Sequence, residues 1–253
     1  MMNWLDSHCH INDTAFREDL DAVLEHMAEN DVTKAMIISS YIEDYEFAKT
    51  ISHEKIAFKR SLGIYPGDAD AVDETLFERF ASLFEEETCC AIGEIGLDYH
   101  WTSDNKEKQK EIFSRQVRLA QELHKPVIIH SRDAIEDTYE ILKSCPVKGV
   151  MHCYSDDADW AKKFLELGFY ISIAGPVTWK KAKKELEVIH AVPVDRLLIE
   201  TDCPYLAPSP MRGRRNEPSF VVYTGKKIAE ELGIGEESFK RQLNENYHSL
   251  FTL

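Results

Sequence analysis

Eight short apolar runs recur along the chain, and helix-like spacing of apolar residues follows most of them. Nearly continuous apolar runs of this length are typical of parallel strands covered on both sides. The predicted strands are 4–8, 34–39, 58–64, 90–95, 126–130, 149–152, 169–173 and 197–201. Eight strand–helix units are the number found in a (β/α)8 TIM barrel. An α/β chain with this barrel is therefore the expected fold, and a doubly wound open sheet is the alternative.

Helical periodicity is clearest in four segments, 74–84, 106–124, 158–167 and 221–232. In each of them apolar residues fall on one stripe, as in a helix that covers a sheet. Residues 180–190 have to supply the seventh helix, and 236–250 predicts an additional C-terminal helix. The chain has no internal repeat, low-complexity tract or Ser/Gly linker, so one domain over 1–253 is expected.

Composition restricts the classes of protein that remain. The chain is 43% hydrophobic and 30% charged, as in soluble globular proteins. No apolar run reaches the ~18 residues of a membrane helix, and the N-terminus does not resemble a signal peptide. The six cysteines show no CxxC spacing. We therefore expect a cytoplasmic protein with no membrane partner, and a monomer is the expected state.

Six residues that can bind metal lie at or next to the ends of the predicted strands. They are His8, His10, Glu94, His130, His152 and Asp202. One end of every strand in a parallel barrel opens onto the same face, and barrel closure brings the first and last strands together. An open sheet would not do so. The sequence therefore predicts a metal-dependent active site at this face.

The residue types suit particular roles in such a site. His8 and His10 would point to the same face of a strand, about 6.6 Å apart along the backbone. Glu94 has two oxygens and can bridge two cations, while Asp202 can bind a cation and also accept a proton from water. Any of the four histidines taken alone would more often be structural. The mixed donor set suits Zn²⁺ or Mn²⁺ and tolerates Mg²⁺.

Several motifs resemble the TatD family of metal-dependent nucleases, within the amidohydrolase-like barrel superfamily. They are DSHCHIND (6–13), GEIGLDYH (93–100), PVIIHSRDA (126–134), HCYSD (152–156), ETDCPYLAPSPMRGRRNEP (200–218) and NENYHSLF (244–251). They span nearly the whole chain in the family's order. The stretch 200–218 is the most specific of them.

The resemblance implies two divalent metal ions, Mg²⁺, Mn²⁺ or Zn²⁺. His8 and His10 would bind one ion, His130 and His152 the other, and Glu94 would bridge them. It implies a cytoplasmic deoxyribonuclease that acts on single-stranded DNA or 3′ ends, commonly as a 3′–5′ exonuclease. A metal-bound hydroxide would attack phosphorus, with Asp202 as the proton acceptor. Asp202 and Glu94 are therefore the expected catalytic residues.

The chain departs from the family pattern at two places. Tyr65 and Gly67 replace the histidines of a GxHPH motif, and Asp156 replaces the glycine of HCFSG. Neither change removes a predicted metal ligand. The first is expected to remove an imidazole that faces the substrate and so to affect substrate preference.

Candidate substrate contacts come mainly from a basic loop after Asp202. The net charge of −15 argues against non-specific nucleic-acid binding, but metal ions and a local basic loop can reverse the sign inside a cleft. Guanidinium groups match phosphate oxygens, and an aromatic ring can stack on a base. The expected contacts are Arg212, Arg214, Arg215, Asn216 and Tyr99, with Trp101, Ser131 and Arg132 as further pocket residues.

Two other functions remain open at this point. An amidohydrolase-type enzyme that acts on an amide, lactone or aminoacyl ester would use the same metal ligands, because function depends on the pocket above them. The arginine loop favours a phosphate-containing substrate over a neutral one. A catalytically silent metal-binding protein is the second alternative, and it would have no need of Asp202 as a proton acceptor.

Overall fold

The structure is a computed structural model that describes residues 2–101 and 104–252. Eight parallel strands follow one another in chain order and form one sheet. The strands are β1 Trp4–Cys9, β2 Val32–Ser39, β3 Ala57–Leu62, β4 Cys89–Asp98, β5 Val127–Arg132, β6 Gly149–Met151, β7 Tyr170–Ile173 and β8 Leu197–Ile199. Together with the helices below, they confirm the TIM barrel predicted from the sequence.

Helices alternate with the strands and cover the outside of the sheet. They are α1 Leu20–Glu29, α2 Ile42–Thr50, α3 Glu74–Phe84, α4 Lys106–Glu122, α5 Ile135–Ser144, α6 Ala158–Glu166, α7 Lys183–Ala191, α8 Val221–Glu231 and α9 Glu236–Phe251. The six predicted helices are confirmed within three residues at each end. No bounds were predicted for α1, α2 and α5. In α2 only Tyr45 and Ala48 are buried, so it shows little apolar periodicity.

Main-chain contacts join the last strand region to the first and nearly close the barrel. The Asp202 amide donates to the His8 carbonyl at 3.0 Å, and the His10 amide donates to the Cys203 carbonyl at 3.0 Å. Beside them, the buried Asp6 carboxylate accepts a hydrogen bond from the Thr201 amide at 3.0 Å. These bonds place the first and last predicted ligands next to each other.

The position of Glu94 within its strand was predicted wrongly. β4 continues beyond Glu94 to Asp98, which pairs with Arg132 of β5. A register shift between Ile92 and Ile95 interrupts the regular pairing on either side of Glu94. Strand β5 likewise runs past His130 to Arg132, whereas β6 and β8 end before His152 and Asp202. Most of the ligands therefore surround the strand ends, but Glu94 projects from inside a strand.

Gly96 allows β4 to pass close to β5 beside this site. Its φ of 150° is an angle that residues with a side chain rarely adopt. A Cβ atom at this position would overlap the carbonyl oxygen of His130. The glycine therefore permits the close approach of Glu94 and His130.

Among the described residues, no helix has both the length and the apolar character needed to cross a membrane.

Candidate metal centre

His8 of β1, His10 directly after that strand and the Glu94 carboxylate of β4 form the first group of predicted ligands. The Nε2 atoms of His8 and His10 are 3.1 Å apart. The Glu94 carboxylate lies beside both, with Oε2 at 3.8 Å from His8 Nε2 and Oε1 at 3.9 Å from His10 Nε2. Each of these three residues therefore directs a donor atom toward the same small region.

The second group shares Glu94 with the first. Oε2 of Glu94 lies 3.0 Å from His152 Nε2 and 3.8 Å from His130 Nδ1, and these two nitrogens are 3.4 Å apart. All the donor atoms within each group lie close enough to bind a single ion. A carboxylate shared by two groups of histidines has the arrangement of a bridging ligand.

Asp202 completes the cluster from the segment after β8. Its Oδ1 lies 3.5 Å from His8 Nε2 and 3.6 Å from His10 Nε2. The residue has a φ of 56°, in the left-handed region that aspartate tolerates better than most residues. The structure thus brings all six predicted ligands together.

Two buried carboxylates that were not predicted as site residues orient the second pair of histidines. Asp98 Oδ2 lies 3.0 Å from His130 Nε2, and Glu200 Oε1 lies 3.2 Å from His152 Nδ1. Hydrogen bonds of this kind commonly fix the ring and tautomer of a metal-binding histidine. Each carboxylate follows an apolar run close to a ligand, and that was the available signal in the sequence.

The environment of Glu200 indicates whether the site suits cations. It is fully buried, and its Oε2 atom has no hydrogen-bond partner among the described protein atoms. An uncompensated carboxylate oxygen in the interior is costly unless a cation or water lies near it. Glu200, His8 and His152 also place donor atoms within reach of one another. The donor set therefore fits divalent metal.

The ionisation of Glu94 and His8 matches what metal binding requires. Burial would raise the pKa of Glu94, but the hydrogen bond and charge of His152, with the charge of His8, hold it well below its usual value. Burial, together with the charge of His152, lowers the pKa of His8. An ionised carboxylate and a neutral imidazole are the forms that bind metal.

Five of the six predicted ligands, all except the fully buried His8, line a cavity of about 790 Å³. Arg132 is the one lysine or arginine in its wall among the residues that the structure describes, and its guanidinium carbon lies 5.2 Å from the centre of the Trp101 ring. The wall also contains four carboxylates outside the ligand set, at Asp13, Asp44, Asp68 and Glu185. Away from the ligands, the cavity is therefore mainly acidic.

The arginines of the basic loop lie outside the described cavity wall. Arg215 makes a two-pronged ion pair with Asp19, with N–O distances of 2.9 and 2.6 Å. Arg212 lies over the ring of Trp179, 4.4 Å from its centre, and Arg214 is exposed. Because Arg212 and Arg215 already have partners within the protein, the arginine loop does not favour a phosphate-containing substrate over a neutral one in the way that the sequence predicted.

Asn216 and Tyr99 also have internal partners. Asn216 is fully buried and donates to the carbonyls of Thr201 and Tyr205 at 2.9 and 2.6 Å, so it holds the turn that carries Asp202. The Tyr99 hydroxyl donates to Asp137 at 2.7 Å, and its ring is not part of the cavity wall. The neighbouring Trp101 does line the cavity, with 72% of its surface exposed.

Comparison with known proteins agrees with this site. A family model described as TatD related DNase matches residues 5–252. A metal-dependent hydrolase of Bacillus subtilis is 40% identical over 98% of both chains. Another from Escherichia coli K12 is 37% identical over 98% of this chain and 95% of its own length.

Solved structures show the same fold. A TatD homologue from Escherichia coli K12 superposes with a TM-score of 0.89 at 26% identity, over 99% of this chain and 98% of its own. An organophosphorus hydrolase variant from Deinococcus radiodurans has a TM-score of 0.71 at 12% identity, with coverage of 99% and 93%, and shares the fold alone. The fold, the predicted ligands and the relatives define a metal-dependent hydrolase. The chain belongs to the TatD family.

Metal affinity should fall as the pH falls. Burial would lower the pKa of His152, but the charge and hydrogen bond of Glu200, together with Glu94, raise it well above its usual value. A raised pKa favours the protonated ring, and metal binding has to displace that proton. We expect calorimetric titration of metal-free protein with Zn²⁺ to show proton release and weaker binding at pH 6 than at pH 8. Equal affinity at both pH values would contradict this assignment.

Proposed function

We propose that the protein is a deoxyribonuclease that hydrolyses phosphodiester bonds at the ends of single-stranded DNA, with two divalent metal ions. The observation that carries the proposal is the convergence of four imidazoles and two carboxylates, with Glu94 shared between the two groups. Two-ion sites bridged in this way serve in-line displacement at phosphorus. The match to a family described as TatD related DNase supports the choice of DNA.

Asp202 has the position of the proton acceptor. Divalent cations in this site would lower the pKa of water and offset negative charge on the phosphoryl oxygens. Asp202 Oδ1 lies beside both histidines of the first group, and the side chain is partly accessible from the cavity. In this geometry Asp202 takes the proton from the attacking water while Glu94 remains ionised.

Trp101 and Arg132 suit a nucleotide next to the cleaved bond. Arg132 follows His130 by two residues and supplies a positive charge to a cavity wall that is otherwise mainly acidic. Trp101 exposes most of its ring beside that guanidinium. A guanidinium binds phosphate oxygens, and an exposed indole stacks on bases without sequence preference. The DNA strand would then lie along the side of the cavity formed after β4 and β5.

The acidic part of the cavity supports action at chain ends. Asp13, Asp44 and Asp68 follow β1, β2 and β3, so they line the part of the cavity next to the first three strands, whereas Arg132 lies at the end of β5. Carboxylates repel phosphates, so a strand that continued across this side would meet an unfavourable field. A terminal nucleoside has no further phosphate and avoids that repulsion. The 3′–5′ direction is the expectation that comes from the family resemblance.

An amidohydrolase-type activity is the second candidate. The acidic wall and the internal partners of Arg212 and Arg215 both suit a neutral or cationic substrate better than a polyanion. An amide, a lactone or an aminoacyl ester would meet the same six ligands. Assays of labelled single-stranded DNA alongside such esters and amides, each with Mg²⁺, Mn²⁺ and Zn²⁺, distinguish the two candidates. A protein that binds metal but hydrolyses none of them would be the catalytically silent alternative.

Replacing the proton acceptor should stop hydrolysis but not metal binding. Asp202→Asn retains the size and one oxygen of the side chain but loses its basicity. We expect kcat on single-stranded DNA to fall by about 10²–10⁴-fold, the usual contribution of a positioned acid or base. The measurement is release of labelled nucleotides from a 3′-labelled oligonucleotide, with metal content determined on the same samples.

Asp195→Asn is the matched control, because Asp195 is exposed in the turn before β8 and outside the cavity wall. It should leave the activity unchanged. Wild-type turnover in Asp202→Asn with its metals bound would refute the role given to Asp202.

Base stacking on Trp101 should be separable from phosphate binding by Arg132. We expect Trp101→Ala to raise KM about tenfold on a normal oligonucleotide, because stacking contributes roughly 1–3 kcal/mol per base. On an oligonucleotide of abasic sugars the same variant should behave like wild type. Arg132→Ala should raise KM on both substrates, since both contain the phosphates.

The comparison of KM on the two substrates makes this test specific. If Trp101→Ala raised KM equally on both substrates, the indole would have a structural role and would not stack on a base.

A further inference from the structure

Tyr65 stands where the family often has histidine, and its hydroxyl has a specific partner. It donates to Asp98 Oδ2 at 2.9 Å. The same oxygen lies 3.0 Å from His130 Nε2. The phenol and the imidazole therefore meet on one carboxylate oxygen.

His130 differs from the other three histidines in the nitrogen that it directs toward the ligand cluster. His8, His10 and His152 direct Nε2 toward Glu94, whereas His130 directs Nδ1. The Nε2 atom of His130 is hydrogen-bonded to Asp98. A half-turn of the ring would move Nδ1 away from Glu94 and break the bond to Asp98. The ring orientation thus depends on where the Asp98 carboxylate is held.

Both carboxylate oxygens of Asp98 accept hydrogen bonds. Oδ1 accepts a hydrogen bond from the backbone amide of His100 at 2.9 Å and lies 3.4 Å from the backbone nitrogen of Trp101. On Oδ2 the only partners within the described chain are Tyr65 and His130. The Asp98 side chain is almost fully buried. Removal of the Tyr65 hydroxyl would leave His130 as the only group that fixes Oδ2.

The Tyr65 ring also contacts His130 directly. The two ring centres are 5.1 Å apart, and the planes meet at 68°, in an edge-to-face arrangement. Phenylalanine would keep this contact and lose only the hydroxyl. The substitution Tyr65→Phe therefore isolates the hydrogen bond from the packing of the ring.

We propose that Tyr65 is a positioning residue for the metal centre: through Asp98 it fixes His130 with Nδ1 directed at Glu94, and so strengthens binding of the ion held by His130 and His152. The departure from histidine at this position then concerns metal binding rather than contact with the substrate. The inference does not depend on DNA as the substrate, because it follows from the ligand geometry alone.

The test is calorimetric titration of metal-free wild-type and Tyr65→Phe protein with Zn²⁺ and with Mn²⁺. Loss of an outer hydrogen-bond partner commonly weakens metal binding by 10–100-fold. We expect a loss of about tenfold, confined to one of the bound ions. Tyr41→Phe is the matched control, since it removes a hydroxyl from the same cavity wall, and metal affinity should not change.

A second measurement distinguishes positioning from a general loss of stability. Nitrogen-15 NMR of the histidine side chains reports which ring nitrogen of His130 carries the proton. In metal-free wild type the proton should be on Nε2, toward Asp98, and in Tyr65→Phe this signal should broaden or shift while that of His152 stays unchanged. Unchanged affinity for every ion, an equal loss at all of them, or an unaltered His130 signal would overturn the proposal.

Discussion

The shared carboxylate of Glu94 is the contact on which the rest of the site depends. Its Oε2 atom lies within 3.8 Å of a ring nitrogen of His8, His130 and His152, and its Oε1 atom lies 3.9 Å from His10 Nε2. A carboxylate buried to this degree is stable only with charged or hydrogen-bonding partners around it. The barrel supplies those partners because its first strand lies close to its last, and because β4 can approach β5 at Gly96.

A second layer of carboxylates gives this arrangement its geometry. Asp98 and Glu200 each hold one imidazole of the second pair by the nitrogen that faces away from Glu94. Backbone amides hold these carboxylates in turn, at His100 for Asp98 and at Cys153 for Glu200. The main chain of the loops after β4 and β6 therefore helps to set the ring orientations, together with the Tyr65 hydroxyl on Asp98, and so links the fold to ligand placement.

The sequence was sufficient for the barrel and for the convergence of the six predicted ligands, because strand alternation and the positions of these residues near strand ends are both visible in the local pattern. The sequence was insufficient for features that depend on contacts between residues far apart in the chain. Glu94 looked like a strand end, but pairing with β5 extends β4 to Asp98. Arg215 looked free to bind phosphate, but Asp19, nearly two hundred residues away, is its partner. The effect of Tyr65 could not be inferred either, since its hydroxyl meets Asp98 only in the folded chain.

The most direct test is to count and locate the metal ions in protein reconstituted with Mn²⁺ or Zn²⁺, by elemental analysis and anomalous diffraction from the same preparation. The account predicts two ions per chain, both in contact with Glu94, one next to His8 and His10 and the other next to His130 and His152. A single ion, or ions bound without Glu94, would contradict it.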